Sequence, residues 1–543
     1  MINYLKNIKN IEILIVILLY LIFFYVGLCS FKDFGVSIDE WEMRIQGFVN
    51  LKYIMSAFNL NGANELDKII KIPVLTSYYG AHGAYFNTLI AYIEYTFNIK
   101  NEQKIFYIAH YLNHLIFLLS NFYFFLIIKN RYNSHVYGII GALCLFLSPR
   151  IFGESFYNQK DILFLSFFII NLYYGIAFIK NTSIKNSILF SITTALCVDI
   201  RIMGIILPPI IIFFTYLKHL KNKKIKILFP FMLFLILSPA VIILFWPFLW
   251  ENPINNFVEA FTIMSNFYWG GYNLYFGKYV LGSNLPWHYI PVWIAISTPI
   301  FYVALFLFGF FSISLRIKKR AFAIKNKSSN KDLWSGDDEL QDLINYLILV
   351  LPIFLVIGFN STLYDGWRHL YFTYPSFLYI SIKGLYLINI SLFKKSSSTL
   401  FLLTGFFLFL IGYQMIKDHP HQNVYFNFLA GKNTHEKFEV DYWGLANKQA
   451  FELLLSEEDK KTIHIGSAGP LSLENSKKIF DIEDRNRLII TSNDRADYII
   501  DNYRNWYGEH KKDRYKIPNN FKIYKNITIR GRNIISIYKK NMS

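Results

Sequence analysis

The sequence predicts an α-helical polytopic membrane protein of about eleven transmembrane helices, followed by a small C-terminal α/β domain outside the membrane. Three observations predict it. Of 543 residues, 54% are hydrophobic and 19% aromatic, with a mean hydropathy of +0.31, which is outside the range of ordinary soluble domains. Apolar runs recur from Ile11 to Ile416. From Asp418 to Ser543 the composition turns polar over a length suited to one small domain.

The first run, Ile11 to Cys29, follows Lys6 and Lys9 but has no small-residue cleavage site, so it is an anchor that stays. A span needs about 20 apolar residues. Further spans are expected near 105–128, 136–148, 162–180, 227–246, 289–313, 343–358, 369–391 and 399–416. The run Ser187 to Leu217 is too long for one crossing at about 1.5 Å rise per residue. It is interrupted by "DIR", Asp199 to Arg201, and is flanked by the basic stretches "KNTSIK" (180–185) and "KHLKNKKIK" (218–226). If both flanks are cytoplasmic, the chain crosses twice and turns near Asp199 and Arg201, which gives eleven spans.

With the N-terminus inside, Lys129, Arg131, "RIKKRAFAIKNK" (316–327), Lys394 and Lys395 also fall inside. The loops 30–104, 149–161, 247–288 and 359–368 and everything after Ile416 then lie outside. The domain expectation is a membrane unit over 1–417 with external loops 30–104 and 247–288, and an extracytoplasmic domain over 418–543. In that domain "KTIHIGSAG" and "ADYIIDNY" read as strands, and "FKIYKNITIRGRNIISIYKK" as a hairpin turning at Arg530 to Asn533. No repeat of solenoid or transporter period is present.

The net charge of +18, from 55 basic and 37 acidic residues, would suggest nucleic acid in a soluble protein. Here the basic residues gather in short loops between apolar runs, so the partners expected are membrane lipids and not nucleic acid. Cys29, Cys144 and Cys197 lie in or at the edge of apolar segments, so neither a disulfide framework nor a cysteine-based metal site is expected.

The external loops hold the polar residues that demand explanation. In "FGVSIDEWEMRIQG" Ser37 and Glu40 fit the S-x-x-E capping box, and the residues that follow have the pattern of an interfacial helix. That leaves Asp39 without a role. The loop "SPRIFGESFYNQKD" carries Arg150, Glu154, Lys160 and Asp161; a surface helix start explains Lys160 and Asp161 equally well. Arg201, at the mouth of two short spans, is costly without an anion, and Asp199 or a lipid phosphate would each serve. His288, in "LPWHY", is suited to donating to a phosphate, binding a metal, or sitting at the interface. In "YDGWRHL" a turn delivers Asp365, Arg368 and His369 to a span mouth. Acids, bases and aromatics from four loops on one face form the pattern of a site for an anionic, lipid-linked substrate.

At these residues the chain resembles the C-type (GT-C) polyprenyl-phosphate-dependent glycosyltransferases, in the bacterial branch related to protein O-mannosyltransferases, glycosyltransferase family 39. The acidic pair in "IDEWE" carries the resemblance first. "SPRIFGESFYNQKD", "DIRIMG", "LPWHYIPVWIAISTP", "YDGWRHLYFTYP" and "VYFNFLAGKN…FEVDYWGLANKQA" continue it in order to about residue 450. The resemblance implies a GT-C-like multi-pass enzyme of a bacterial inner membrane. It would move a hexosyl or pentosyl group from a polyprenyl-phosphate donor to a hydroxyl of a lipid, polysaccharide or protein acceptor on the external side, with inversion.

Asp39 would be the general base, presented by the helix cap, and Glu40 would orient the acceptor or help hold a divalent metal. Metal dependence itself does not carry over. The donor phosphate would meet Arg201, Lys160, His288 and Arg368, with Asp161, Asp365 and His369 as further candidates. Asp441, Tyr442 and Trp443 either border the site or, the reading preferred, pack locally in the C-terminal domain. Competing readings are a transporter or flippase, a noncatalytic scaffold, and a glycan ligase or polymerase using a diphosphate carrier. A transporter predicts charges at the bilayer midplane and two related halves.

Overall fold

A computed structural model describes residues 2–222, 228–325, 332–394, 396–510 and 512–541. Lys223, Lys224 and Lys226 of the second basic flank, Asn326 and Lys327 of the third, and Lys395 lie outside the described residues.

The chain is a polytopic helical bundle with a small C-terminal sheet. Among the described residues, nine helices are long and apolar enough to cross a membrane, and ten if one bent pair is a single span. Eleven were expected. The difference arises at Ile184–Ile200, which has 17 residues and falls just short of membrane length. It ends at Arg201, whose extended backbone (φ −146°, ψ 129°) breaks the run where "DIR" predicts a turn, before the membrane-length segment Ile202–Leu220.

Proline sets two other boundaries. His135–Phe146 has 12 residues and meets Pro149–Tyr157 at a bend of 65°. Proline lacks an N–H and forces the residue before it out of the helical region, so the stretch read as an external loop is a separate helix, and all nine of its residues are buried. The span expected over 289–313 is likewise divided. Tyr289–Ser297 ends at Thr298, extended before Pro299 (φ −107°, ψ 143°), and Ile300–Lys325 then runs on through the basic cluster that was read as a loop. That helix lies backbone to backbone on Tyr374–Leu392, where a Cβ at Gly384 would stand 2.0 Å from the Leu305 carbonyl oxygen.

The C-terminal sheet contains the expected strands Ile463–Ser467, Tyr498–Asp501, Phe521–Ile529 and Arg532–Lys540, with Leu488–Ile490 added at the edge. Tyr498–Asp501 is the middle strand of five, parallel to Ile463–Ser467 and antiparallel to Arg532–Lys540. A two-stranded hairpin, Tyr272–Tyr275 with Lys278–Leu281, stands in the loop 247–288 and turns at Phe276 and Gly277, both left-handed.

The tail and bundle share their cores. Phe426, Phe438, Tyr442 and Trp443 belong to the apolar core of the bundle, while Val36 and Phe106 belong to the core under the sheet. At the far end of the bundle Asp342 is buried among Arg131, Arg316, Lys383 and the Tyr379 hydroxyl, so part of the basic surplus is paired inside the protein.

Candidate active site

The helix Glu40–Ala57 begins two residues later than a capping box on Ser37 would start it, and only half of the box forms. The Ser37 N–H donates to Glu40 Oε2 at 2.5 Å, while the Ser37 hydroxyl is buried without a partner. Glu40 is itself buried, and its Oε1 lies 2.7 Å from His110 Nε2. The residue at the N-cap position is Asp39, and its side chain caps nothing. It is free to turn the other way.

Asp39 turns toward a charged cluster built from four further segments. Arg368 Nη1 is 3.3 Å from Asp39 Oδ2 and 3.2 Å from Asp161 Oδ2, and its Nη2 is 3.2 Å from Asp365 Oδ2. Arg201 Nη2 pairs with Asp161 Oδ1. The anion facing Arg201 is therefore Asp161, whereas Asp199 is buried with neither oxygen hydrogen-bonded.

Each side chain has a local reason for its place. Asp161 opens a helix, and its N–H donates to Asn158 Oδ1 at 2.8 Å. Asp365 and Gly366 are both left-handed (φ 58° and 72°), a turn that brings Asp365 and Arg368 face to face. The Arg368 guanidinium is sandwiched between Tyr364 (4.9 Å) and Trp443 (4.7 Å).

The cluster has a surplus of cations. Asp39, Asp161 and Asp365 face Arg201, Arg368 and Arg504, with Lys160 beside them and forming no ion pair among the described residues. Burial, and then the charge of Arg201, lower the Lys160 ammonium to about 8. Burial and the charges of Lys160 and Arg201 likewise hold His82 well below an ordinary imidazole, so it is neutral. Asp39 is the accessible member: its side chain is 35% exposed, against 5% for Arg368 and 1% for Asp161.

One candidate stands apart, and another borders the cluster through Tyr364. His288 Nδ1 bonds to the Tyr275 hydroxyl at 2.7 Å and touches none of the cluster. His369 sets its ring edge on Tyr364 at 4.6 Å, and its Nδ1 is buried without a partner.

Of the two readings of Asp441, Tyr442 and Trp443, each holds for part of the segment. Asp441 does pack locally, accepting from the Ala446 N–H at 2.8 Å. Trp443 instead forms one wall of Arg368, and the Tyr442 hydroxyl bonds Glu154 Oε1 at 3.1 Å. Arg504, passed over in the sequence, reaches Asp365 at 2.6 Å. Glu439 is buried, its Oε2 has no partner, and burial followed by the charge of Asp365 raises its carboxyl to about 8.

Among the described residues no group of three or more His, Cys, Asp or Glu side chains is placed to hold a metal ion. The donor set explains this. Asp161 and Asp365 are each bridged by two guanidinium groups, Glu40 is occupied by His110 and Ser37, and the cationic surplus opposes a further cation. Asp161, Asp365 and Glu40 are thus committed to partners within the protein.

No family model and no curated protein matches this sequence. Among solved structures the chain is similar to ArnT from Cupriavidus metallidurans bound to undecaprenyl phosphate, at 9% identity and a TM-score of 0.46, covering 98% of both chains. It is similar to the apo state of that protein at 10% identity and a TM-score of 0.47, covering 91% of this chain and 93% of that one. It is also similar to the Archaeoglobus fulgidus oligosaccharyltransferase in complex with Zn and sulfate, at 11% identity and a TM-score of 0.40, covering 87% and 64%.

Proposed function

We propose that this chain is an integral-membrane glycosyltransferase of the GT-C kind, moving a sugar from a polyprenyl-phosphate donor to an acceptor hydroxyl. One observation carries the reading. Asp39 is the accessible carboxylate of a buried cluster, held by Arg368 on one oxygen and set beside Lys160 and Arg201. A hydroxyl is a weak nucleophile and gains from a positioned base, while a leaving phosphate needs cations aimed at its developing charge.

Asp39 takes the proton of the acceptor hydroxyl, whose oxygen bonds to the anomeric carbon. The bond from that carbon to the phosphate oxygen breaks, and its electron pair leaves with the polyprenyl phosphate. Lys160, Arg201 and Arg368 offset the charge that gathers there. A single displacement inverts the anomeric carbon. Glu40, committed to His110, supports the helix that presents Asp39.

Asp39, Asp161, Arg201 and Arg368 each stand at the end of a helix, a placement that favours an enzyme over a transporter. In this reading residues 1–417 form the transferase unit of a bacterial inner-membrane enzyme, and 418–543 an extracytoplasmic domain, with the N-terminus cytoplasmic. The donor sugar is a hexose or pentose, and the acceptor is a lipid, polysaccharide or protein.

The test is sugar transfer in membranes from a radiolabelled polyprenyl-phosphate sugar pool, comparing the parent with Asp39→Asn at matched expression. Loss of transfer by about 100-fold or more with folding intact is expected. Full transfer by the variant removes Asp39 as the base.

A further inference from the structure

The C-terminal domain reaches the cluster through one side chain. Arg504 is buried, lies three residues beyond the end of the middle strand Tyr498–Asp501, and follows the left-handed residue Tyr503 (φ 61°). Its N–H donates to Asn502 Oδ1 at 3.1 Å, and its guanidinium lies 4.3 Å from the Trp506 ring. Nη2 reaches Asp365 Oδ1 at 2.6 Å, while Nη1 donates to the Tyr442 carbonyl at 2.5 Å. One residue further on, the Trp443 carbonyl accepts from the Ile38 N–H at 3.1 Å, immediately before Asp39.

We infer that Arg504 is a positioning residue that sets the Asp39–Arg368 pair through Asp365, so that the C-terminal domain completes the active site. The inference rests on the function proposed above. Its physical basis is competition for one guanidinium. Arg368 is shared among Asp365, Asp161 and Asp39. With Arg504 in place, Asp365 divides its charge between two arginines. Without Arg504, Asp365 stands buried with Arg368 as its one cation, and Arg368 is drawn toward it and away from Asp39. The same loss frees the Tyr442 carbonyl and loosens the segment that holds Ile38. A displacement of about 1 Å at a reacting group can cost about 100-fold in rate.

A double-mutant cycle on sugar transfer, with Arg504→Met, Asp365→Asn and the pair, tests the route. Arg504→Met is expected to lower kcat by about 10- to 100-fold with KM within about threefold, and the double variant to fall no lower than the worse single one. Multiplying losses, or transfer by Arg504→Met at the parent rate, overturn the inference. Arg504→Lys keeps the charge but reaches one of the two acceptors; it is measured alongside and is expected to lose about tenfold in kcat, so a poorly accumulating Met variant leaves the question decidable.

A parent that transfers no sugar defeats the functional reading and not this one. Amide exchange then decides. Faster exchange over 37–44 and 363–369 in the Arg504 variants, with Tyr498–Asp501 still protected, supports positioning; unchanged exchange there overturns it.

Discussion

Arg368 holds Asp39 and Asp161 with a single nitrogen, Nη1, which lies 3.3 Å from the first and 3.2 Å from the second. Its other terminal nitrogen goes to Asp365, so one planar group fixes three carboxylates from three segments. Lysine is a point charge and cannot reproduce that fork. Arg368→Lys is therefore expected to lower kcat/KM for transfer by about 100-fold or more, with a kinetic assay in membranes as the check. A loss under about threefold would show that charge alone suffices.

The two neighbouring acids should separate stability from chemistry. Glu40 is buried against His110 at 2.7 Å and accepts from the Ser37 N–H, whereas Asp39 is partly exposed. Glu40→Gln is expected to cost about 1–3 kcal/mol of stability, the range for disturbing a buried hydrogen-bonded group. Asp39→Asn is expected to cost under about 1 kcal/mol while removing transfer. Thermal unfolding in detergent beside the transfer assay measures both.

Lys160 should give the donor a pH dependence. Burial and Arg201 lower its ammonium to about 8, and it also faces Asp39, Asp161 and Arg368. The cation is present below that pH and is lost as pH rises through it. KM for the donor is expected to rise between pH 7 and 9 in the parent. In Lys160→Met it should be raised already at pH 7 and flat over that range. A parent profile without this rise would remove Lys160 from phosphate binding.

Glu439 should leave its mark on stability. Burial and Asp365 raise its carboxyl from the ordinary 4.5 to about 8, so the folded protein binds a proton that the unfolded chain has released. The stability associated with that proton is complete below about 4.5 and is lost as pH climbs through about 8. Glu439→Gln keeps a neutral side chain at every pH. The fall in melting temperature between pH 5 and 8 is expected to be shallower in the variant than in the parent.

Much of this architecture was legible because it depends on local chemistry. A run of apolar residues must form hydrogen-bonded helix in a bilayer whatever surrounds it, and the strands at Ile463–Ser467 and Tyr498–Asp501 and the hairpin at Arg530 declare themselves by alternation and turn residues. The break at Arg201 was visible as charge inside an apolar run. The division at Pro299 was also written in the sequence, but a hydropathy window averages over a single proline and hides it.

The sequence by itself determined the helical polytopic class, the polar domain that follows, and the presence of acids and bases in the loops between spans, because hydropathy and charge are properties of single residues and short windows. Only the tertiary structure decided who meets whom. It turned Glu40 to His110 and Asp39 to Arg368, gave Arg201 to Asp161 and not to Asp199, kept His288 with Tyr275, and brought Arg504 from more than a hundred residues away onto Asp365. A buried charge is costly without a partner, and the pairs formed here join segments far apart in the chain, where no local pattern records the partner.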